Sequence, residues 1–443
     1  MSSVQPPQAG SSRQRNSLRF VGLAAGLVAV LLLFGHQLSA SGDDQLFTPV
    51  SGLAPASVDR PPALRVQTAR VNWNVLTPQT QALHLNLFDD VSLAATRERV
   101  DYSVTGGYVW IGALAGEPGG RVSLSVQDGV LAGSVWRRGQ EWAVIRYAGD
   151  ATPGLYTVYE HDPHAPEPNG PDTIDPPPLP PASGVAPQAG SCQEDGSVID
   201  LMLAYTPAAR DAAGGTAGII ALINQRVAEM NTANRDSAAP FGWRLVQAME
   251  VGLAETGADV GAILGLLSGL SDGTLDELHD LRNTYQADLV GLLLAQGSGA
   301  CGMAFRLGEL NLGLHLYGFS VSALDYPGDY MCSSLTTAHE FGHNLGNAHD
   351  RANDKGGPLF PYSYGYQSPN QTFRDIMSYD CPNGCPRINA WSNPDIWYMG
   401  EPLGVDFDVD PANAADLVRS MTDARHIVAN FRANCVEATA TPT

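Results

Sequence analysis

Basic residues are scarce in this chain. Lysine occurs once, at Lys355, and 25 lysine and arginine residues stand against 46 aspartate and glutamate residues, for a formal net charge of −21. Because a nucleic acid is bound by clustered positive charge, this balance argues against DNA or RNA as a partner. With 44% hydrophobic and 16% charged residues, the composition is that of a folded soluble protein.

Long hydrophobic runs are missing as well, apart from one near the N-terminus. Arginines precede an uncharged apolar stretch at residues 20–34, and small residues follow around Ala40. A basic flank, a short apolar segment and small residues predict an export signal, with residues 1–42 as the signal peptide. A membrane helix needs ~20 residues. Extending the run to Leu38 gives the alternative, an uncleaved N-terminal anchor.

Cysteine is absent before residue 190. All six cysteines follow, and an even number in an exported chain predicts three disulfides. We expect the pairs Cys301–Cys332, Cys381–Cys385 and Cys192–Cys435, the last joining the two ends of a second domain. A zinc site at Cys381 and Cys385 is the alternative, but the chain offers no second cysteine pair to complete it.

Composition divides the chain into two domains and a linker. Residues 43–161 hold short apolar segments separated by Gly and Asp, which predict a β-rich domain. Residues 162–190 hold ten prolines and no sustained apolar period, so we predict an exposed linker that is open to proteolysis. Residues 191–436 form the second domain, and residues 437–443 a tail.

Strands and helices alternate in the second domain, which predicts an α/β layered fold with a mixed sheet. The predicted strands are residues 198–205, 243–251, 287–295 and 317–323. The predicted helices are residues 217–234, 275–285, 334–345 and 412–430.

One segment carries the chemistry, H-E-F-G-H-N-L-G-N-A-H-D at residues 339–350. On a helix, His339 and His343 lie one turn apart on the same face and can present two imidazoles to one ion. Gly346 can adopt the left-handed conformation that ends a helix, so that His349 supplies a third nitrogen. Three protein nitrogens leave a fourth position for water, which is typical of a catalytic zinc site.

Glu340 follows the first histidine and is offset around the helix, yet it can reach a water molecule on the ion and act as the general base. The spacing H-E-x-x-H-x-x-G-x-x-H is a specific signal. A helix with surface histidines and a capping glycine is the alternative, and it leaves four coincident positions unexplained.

These residues resemble the metzincin zinc endopeptidases. The resemblance implies a methionine turn beneath the metal, and Ile376-Met377-Ser378-Tyr379 fits it, with Met377 supporting the histidines without binding zinc. Asp350 directly after the third histidine is similar to the reprolysin or adamalysin branch. Further segments are similar to bacterial reprolysin-like enzymes, including the peptidyl-Asp metalloendopeptidases: residues 364–366, 385–388 and 391–394.

The resemblance covers residues 195–436 and implies a secreted, zinc-dependent endopeptidase with a twisted mixed sheet and a zinc-binding helix. Residues 43–190 would then be a propeptide that assists folding and blocks the cleft. Because this region has no cysteine, a thiolate latency switch is excluded. Protein or peptide substrates would add along an edge strand, expected at residues 317–323. We expect a monomer.

Tyr379 leaves two interpretations open. It stands where astacins and serralysins carry a tyrosine that can bind zinc, whereas reprolysins generally lack it. A buried tyrosine with a satisfied hydroxyl is the alternative.

Weaker patterns concern calcium and specificity. Asp406, Asp408 and Asp410 could bind Ca²⁺, but the segment lacks the glycine and glutamate of an EF-hand loop, and a solvated acidic loop is the alternative. A basic group beside the cleft would favour acidic substrate side chains, and the candidates are Lys355, Arg351 and Arg374. Ordinary surface residues are the alternative there.

Two rival functions remain at this level. A catalytically silent binding module would retain the fold but lose a ligand or Glu340, and all of these residues are present. A zinc exopeptidase would need a closed end to its cleft, which no sequence feature indicates.

Overall fold

The computed structural model describes residues 44–50, 60–162, 164–168, 170–179, 193–257, 259–354 and 356–433. The expected signal peptide, Cys192, Cys435, Lys355 and the tail lie outside these residues. Two of the three expected disulfides lie within them and are present, Cys301–Cys332 and Cys381–Cys385. In the part of the chain that the structure describes, no helix combines the length and apolar character needed to cross a membrane.

The N-terminal domain is one antiparallel sheet, in agreement with the short apolar segments of the sequence. Its strands are β1 (Phe47–Pro49), β2 (Ala63–Val71), β3 (Ala82–Phe88), β4 (Val91–Tyr102), β5 (Tyr108–Leu114), β6 (Arg121–Gln127), β7 (Val130–Arg137), β8 (Gln140–Tyr147) and β9 (Tyr156–His161). They lie in the order β1-β2-β9-β8-β7-β6-β5-β4-β3. Gln45 pairs with His84 of β3, so the two sheet edges meet around a core that includes Trp110 and Leu124.

The proline-rich linker does not run free of the second domain. Residues 162–179, here called the connecting segment and described except at positions 163 and 169, contribute the short strand β10 (Thr173–Ile174). This strand pairs in parallel with a strand of the second domain. The expectation of an exposed spacer therefore fails for this part, because its backbone and two of its acidic side chains contact the second domain.

The second domain is built on a mixed sheet, as predicted. Its strands are β11 (Val198–Tyr205), β12 (Gly242–Glu250), β13 (Leu289–Gln296), β14 (Gly302–Phe305), β15 (Phe319–Tyr326) and β16 (Tyr330–Met331). The order is β10-β14-β15-β13-β11-β12, and β16 pairs with β15. Only β14 and β16 run antiparallel to their neighbour β15. The apolar run in β13 suits a strand that is buried on both faces.

Six helices and four short strands complete the described part of the second domain. The helices are α1 (Pro207–Ala212), α2 (Thr216–Asp236), α3 (Val260–Ser268), α4 (Glu277–Tyr285), α5 (Thr336–Asn344) and α6 (Leu417–Val428). The strands are β17 (Ala348–Asp350), β18 (Tyr364–Gly365), β19 (Asn393–Tyr398) and β20 (Glu401–Leu403). A 3₁₀ turn spans Leu312–Tyr317.

One prediction about the sheet is wrong. Residues 317–323 were expected to form the edge, but β15 is hydrogen-bonded to β13 on one side and to β14 on the other. Among the second domain's own strands, the edge beyond β15 is β14, a segment of four residues that is too short to give a period, and the opposite edge is β12. The sequence also missed α3, a short, largely apolar helix that begins at the cap residue Asp259.

The N-terminal domain packs on helix α2 through both polar and apolar contacts. The Ser103 hydroxyl lies 2.7 Å from Oδ1 of Asn224, and Arg99 donates to Oγ1 of Thr232 at 2.9 Å. The indole N–H of Trp136 donates to Oε1 of Glu229 at 3.2 Å. Apolar side chains share this interface, because Val109 and Ile111 pack with Ala228, and Trp136 lies in the hydrophobic core of the second domain.

Candidate metal and catalytic site

Three histidines converge at one end of helix α5. Nε2 of His339 lies 3.3 Å from Nε2 of His349, and His343 stands on the same helix face as His339. The ring centroids of His343 and His349 are 4.7 Å apart. All three residues are buried. The structure thus brings together the three nitrogens that the sequence spacing predicted.

Backbone carbonyls orient two of the imidazoles. Nδ1 of His339 lies 2.8 Å from the carbonyl oxygen of Ile376, and Nδ1 of His343 lies 2.8 Å from that of Asn347. A carbonyl can only accept, so each Nδ1 carries the proton and each Nε2 turns a lone pair toward the centre. Nε2 of His343 is buried and has no hydrogen-bond partner among the described residues, as expected for an atom that binds an ion.

Local structure explains how His349 joins the two helical histidines. Helix α5 ends at Asn344, and Gly346 has φ +82°, the left-handed conformation foreseen for it. The chain then enters β17, which contains His349 and Asp350. Both carboxylate oxygens of Asp350 accept from Asn353, and Oδ2 also accepts from the backbone N–H of Tyr379 at 3.1 Å.

Met377 lies beneath the histidine helix. It is fully buried, and its Sδ atom would be 2.5 Å from a Cβ placed on Gly342, so only glycine fits there without a shift. The turn is held by Asp375, whose Oδ1 accepts from the backbone N–H groups of Met377 and Ser378 at 3.1 and 3.0 Å. Burial raises the pKa of Asp375 to about 6, although these hydrogen bonds oppose the rise.

Glu340 faces strand β14. It is 1% exposed, and its Oε2 atom has no hydrogen-bond partner in the described part of the chain. A Cβ on Gly302 would clash with the Glu340 carboxylate, so the glycine leaves room for that group. Burial, reinforced by the negative charge of Asp172, raises the pKa of Glu340 well above its ordinary value.

The connecting segment places an acidic group at the centre, beside the three histidines. Oδ1 of Asp172 lies 2.8 Å from Nε2 of His349, and Oδ2 lies 3.2 Å from Nε2 of His339. The ligand atoms of Asp172 and the three histidines all lie within 4.8 Å of one another. Burial raises the pKa of Asp172, but the imidazoles of His349 and His339 outweigh burial and hold this pKa well below its usual range.

Tyr379 borders the same centre. Its ring centroid is 4.3 Å from that of His349, and its hydroxyl donates to the carbonyl oxygen of Gly170 at 2.9 Å. Burial, with the charge of Asp172, raises the pKa of Tyr379, so the hydroxyl keeps its proton. The partner of the hydroxyl belongs to the connecting segment and not to the core of the second domain.

Two arginines lie near the histidines, beside a cleft of about 430 Å³ counted to its open mouth. Arg387 lines this cleft together with His339, Glu340 and Tyr379. Nη2 of Arg387 lies 2.8 Å from Oε2 of Glu167, a residue of the connecting segment.

Arg374 stands behind Arg387. Its Nη2 atom lies 3.1 Å from Oε1 of Glu167 and 2.9 Å from Oδ1 of Asp380. Burial raises the pKa of Glu167, but the charges of Arg374 and Arg387 outweigh burial and lower this pKa overall.

Several sequence candidates lie elsewhere. Arg351 stacks 4.1 Å over the Tyr364 ring and donates to the backbone oxygens of Ala414 and Pro361, so it does not enter the cleft. The calcium hypothesis gains no support, because within the described ranges only Asp172 and the three histidines form a cluster of metal-binding type. Oδ1 of Asp406 instead accepts from the backbone N–H of Asp408.

Sequence reasoning missed four contributors to the site: Glu167, Asp172, Asp375 and Arg387. The two acids of the connecting segment stand among prolines, and no spacing relates them to the histidines. Arg387 lies in a segment that was noticed only for its resemblance. Asp375, two residues before Met377, offered the one local signal, because an aspartate at that distance can bond to the backbone of a turn.

Three inward-facing imidazoles and an adjacent carboxylate, at one end of an α/β sheet, define the class of metal-dependent hydrolases. The profile described as metallo-peptidase family M12, of reprolysin type, matches residues 195–392. The chain belongs to metallo-peptidase family M12 and is a metalloendopeptidase, a hydrolase of peptide bonds.

Relatives support this assignment over nearly the whole chain. A peptidyl-Asp metalloendopeptidase of Xanthomonas campestris pv. campestris is 30% identical over 84% of this chain and 87% of its own length. One of Stenotrophomonas maltophilia strain R551-3 is 29% identical over 94% of this chain and 99% of its own length. Metalloproteinase-II from Bacteroides fragilis matches with a TM-score of 0.38 at 12% identity, over 60% of this chain and 81% of that one, a likeness too distant to add to the assignment.

Proposed function

We propose that this chain is an exported zinc endopeptidase, made as a latent precursor, with a preference for acidic residues beside the bond that it cleaves. The observation that carries the proposal is the convergence of His339, His343 and His349 around one point, with Glu340 next to the first of them.

Zinc fits the donor set. Neutral imidazoles are zinc ligands of ordinary type, three of them leave one position open, and the buried Nε2 of His343 has no other partner among the described residues. Carbonyls on two Nδ1 atoms supply the outer hydrogen bonds that such ligands require. When bound, zinc supplies Lewis acidity toward the scissile carbonyl and acidifies water.

The side chains of the site supply the remaining chemistry. Glu340 takes a proton from the attacking water and delivers it to the leaving amine, because its carboxylate is adjacent to the histidine centre and its Oε2 atom has no hydrogen-bond partner among the described residues. The Tyr379 hydroxyl, once released from Gly170, can donate to the carbonyl oxygen as charge develops on it. The peptide main chain adds along β14, whose outer edge is paired only with β10 of the connecting segment.

Latency is supported by the connecting segment. The Asp172 carboxylate lies against Nε2 of His339 and His349, β10 covers the strand that substrates would use, and the Tyr379 hydroxyl donates to Gly170. Residues 43 to about 190 are therefore proposed to be a propeptide. Export is supported by the Cys301–Cys332 and Cys381–Cys385 disulfides, which persist in oxidising compartments.

Acid preference is supported by two independent facts. The relatives are named peptidyl-Asp metalloendopeptidases, and Arg387, whose side chain is 11% exposed, lines the cleft of this chain. A silent binding module is the weaker hypothesis, since Glu340 is present and the relatives are named as enzymes.

The decisive experiment compares zinc content and peptidase activity in the wild type and in Glu340→Ala. We expect about one zinc per chain in both proteins and a loss of kcat of at least ~10²-fold in the variant. Equal activity of the two proteins would remove Glu340 from the mechanism. Full loss of zinc from Glu340→Ala would show that the substitution has disrupted the folded site. Glu340→Gln would then be used in its place.

A further inference from the structure

A charge cluster joins the connecting segment to the wall of the cleft. It contains two guanidinium groups and two carboxylates: Arg374 and Arg387, with Asp380 from the second domain and Glu167 from the connecting segment. We propose that Arg387, positioned beside Arg374, is the subsite for the acidic side chain of the substrate, and that Glu167 fills this subsite in the uncut chain. The proposal rests on the proposed function, which it makes specific.

Location supports this role. Arg387 borders the same cleft as His339, Glu340 and Tyr379, so a side chain that meets Arg387 belongs to a substrate residue close to the scissile bond. An arginine this close to the centre is part of the binding surface.

Charge balance gives the second argument. Asp380 lies 2.9 Å from Arg374 and can neutralise one of the two guanidinium groups, while Glu167 bridges Arg374 and Arg387 with one oxygen on each. When the connecting segment withdraws, two guanidinium groups face the single carboxylate of Asp380. A ligand carboxylate restores the charge balance, so the emptied subsite favours an acidic side chain.

Arg374 and Arg387 differ in how many of their N–H donors are already engaged, and this difference distinguishes their roles. Arg374 donates from Nη1 to the carbonyl oxygen of Ser378 at 2.7 Å and from Nε to that of Cys385 at 3.1 Å, so its guanidinium is fixed to the loop. Nε of Arg387 is buried and has no hydrogen-bond partner among the described residues. Arg387 therefore has a donor to spare for a ligand, and Arg374 is a positioning residue that adds charge.

This arrangement selects an acid over its amide. The planar guanidinium offers paired donors that match a carboxylate, and both substrate oxygens can accept. An asparagine or glutamine of the same size would present N–H groups to the arginine and leave its charge unpaired. A site built in this way rejects the uncharged analogue strongly, because the penalty falls on the protein's own buried group.

The test uses the full-length chain after its own maturation and two peptides that differ only by Asp or Asn beside the scissile bond. In the wild type, kcat/KM is expected to be at least about tenfold higher for the Asp peptide, and Arg387→Gln should lower this Asp:Asn ratio by at least about tenfold. Arg387→Lys, which keeps the charge without the paired donors, should give an intermediate ratio.

Arg306→Gln is the matched control. Arg306 also binds the connecting segment, with Nη2 2.7 Å from Oδ1 of Asp175, but it does not line the cleft. Its substitution should leave the Asp:Asn ratio as in the wild type. The proposal is overturned if Arg387→Gln keeps the wild-type ratio with normal zinc content, or if Arg306→Gln alone changes it. If the wild type cleaves neither peptide, the proposed function itself fails.

A second measurement remains possible if Arg387→Gln does not fold, because this measurement needs only the wild-type enzyme. A synthetic peptide of residues 162–179 is assayed as an inhibitor beside its Glu167→Gln and Asp175→Asn versions. Loss of the Glu167 charge should raise the inhibition constant at least about tenfold, and more than loss of the Asp175 charge. Equal inhibition by the natural and Glu167→Gln peptides would overturn the assignment of this subsite.

Discussion

Oδ1 of Asp172 lies 2.8 Å from Nε2 of His349, although the two residues belong to different parts of the chain. The carboxylate comes from a proline-rich segment and the imidazole from the short strand after helix α5. A carboxylate is itself a zinc ligand of ordinary type, so Asp172 can complete the set of four and exclude water. Under the latency that we propose, the N-terminal region would need no cysteine to silence the centre.

Replacing Asp172 should weaken latency. In uncut Asp172→Ala the position beside His349 and His339 is open to water, while β10 still covers β14. We expect this uncut variant to hydrolyse a short peptide at least about tenfold faster than the uncut wild type, with unchanged zinc content. The measurement is initial-rate kinetics, on protein whose intact length is verified by mass spectrometry.

Asp175→Ala is the control for that experiment. Asp175 lies in the same segment and pairs with Arg306, outside the histidine centre. Asp175→Ala should leave the peptidase rate of the uncut chain equal to that of the uncut wild type. If uncut Asp172→Ala binds zinc and stays fully silent, steric cover by the segment accounts for latency and the carboxylate does not.

Tyr379→Phe should lower kcat more than it changes KM. The hydroxyl is held by the carbonyl of Gly170 in the uncut chain and becomes available when the segment leaves. Because burial raises the pKa of Tyr379, the hydroxyl remains a donor at neutral pH. Loss of one donor to a developing oxyanion costs on the order of 10²-fold in kcat. An unchanged kcat would leave Tyr379 with a packing role against His349.

Much of the second domain follows from its sequence, because its elements repeat regular periods. β11 has the predicted bounds, and α2, β12 and β13 differ from prediction by one to two residues at each end. The spacing from His339 to His349 determines the centre, since helix geometry and one left-handed glycine leave little freedom.

Contacts between distant parts of the chain could not be predicted in this way. Asp172 and Glu167 meet the site through tertiary packing of a segment without any period, and Arg387 acquires its role from the fold of the loop after Met377. The edge strand was misplaced for a related reason: β14 is a segment of four residues whose pairing depends on β15. The pattern of apolar residues in a segment predicts its secondary structure, but it does not predict which distant segment it will contact.

Docking of the N-terminal domain should weaken as pH rises. Glu141 of β8 is nearly buried at this interface, where burial and the charge of Glu229 raise its pKa from the ordinary 4.5 to about 7. The other groups facing it are Arg146 and the backbone N–H of Ser334, with His161 at 3.8 Å and Arg226 behind. Burial and Arg146 lower the pKa of His161 to about 3, so it stays neutral.

The direction of this pH dependence follows from the raised pKa of Glu141 in the docked state. The docked state favours the protonated form of Glu141, so docking is strongest below pH 4.5, weakens as pH rises toward about 7, and changes little beyond. The full change is on the order of 3 kcal/mol. The measurement is the fraction of N-terminal domain retained on size-exclusion chromatography after the connecting segment is cut. Glu141→Gln should flatten the profile, and Glu117→Gln, at the Arg137 pair, should not.

Gly342→Ala should destabilise the second domain, contrary to the usual effect of this substitution in a helix. Alanine normally stabilises a helix interior by up to ~1 kcal/mol relative to glycine. At position 342, however, the new methyl group would lie 2.5 Å from Sδ of Met377, which is fully buried and cannot move outward. Overpacking of this kind costs about 1–3 kcal/mol, so Tm should fall.

Gly265→Ala in helix α3 provides the comparison. No atom lies within 4 Å of a Cβ at position 265, so this variant should match or exceed the wild-type Tm. Gly342→Ala combined with Met377→Ala should lose less stability than the sum of the two single variants, because the two side chains compete for one space. Thermal unfolding of these variants, with zinc content measured in parallel, checks the contact. A Tm for Gly342→Ala above that of the wild type would show that Met377 does not pack against the helix at this position.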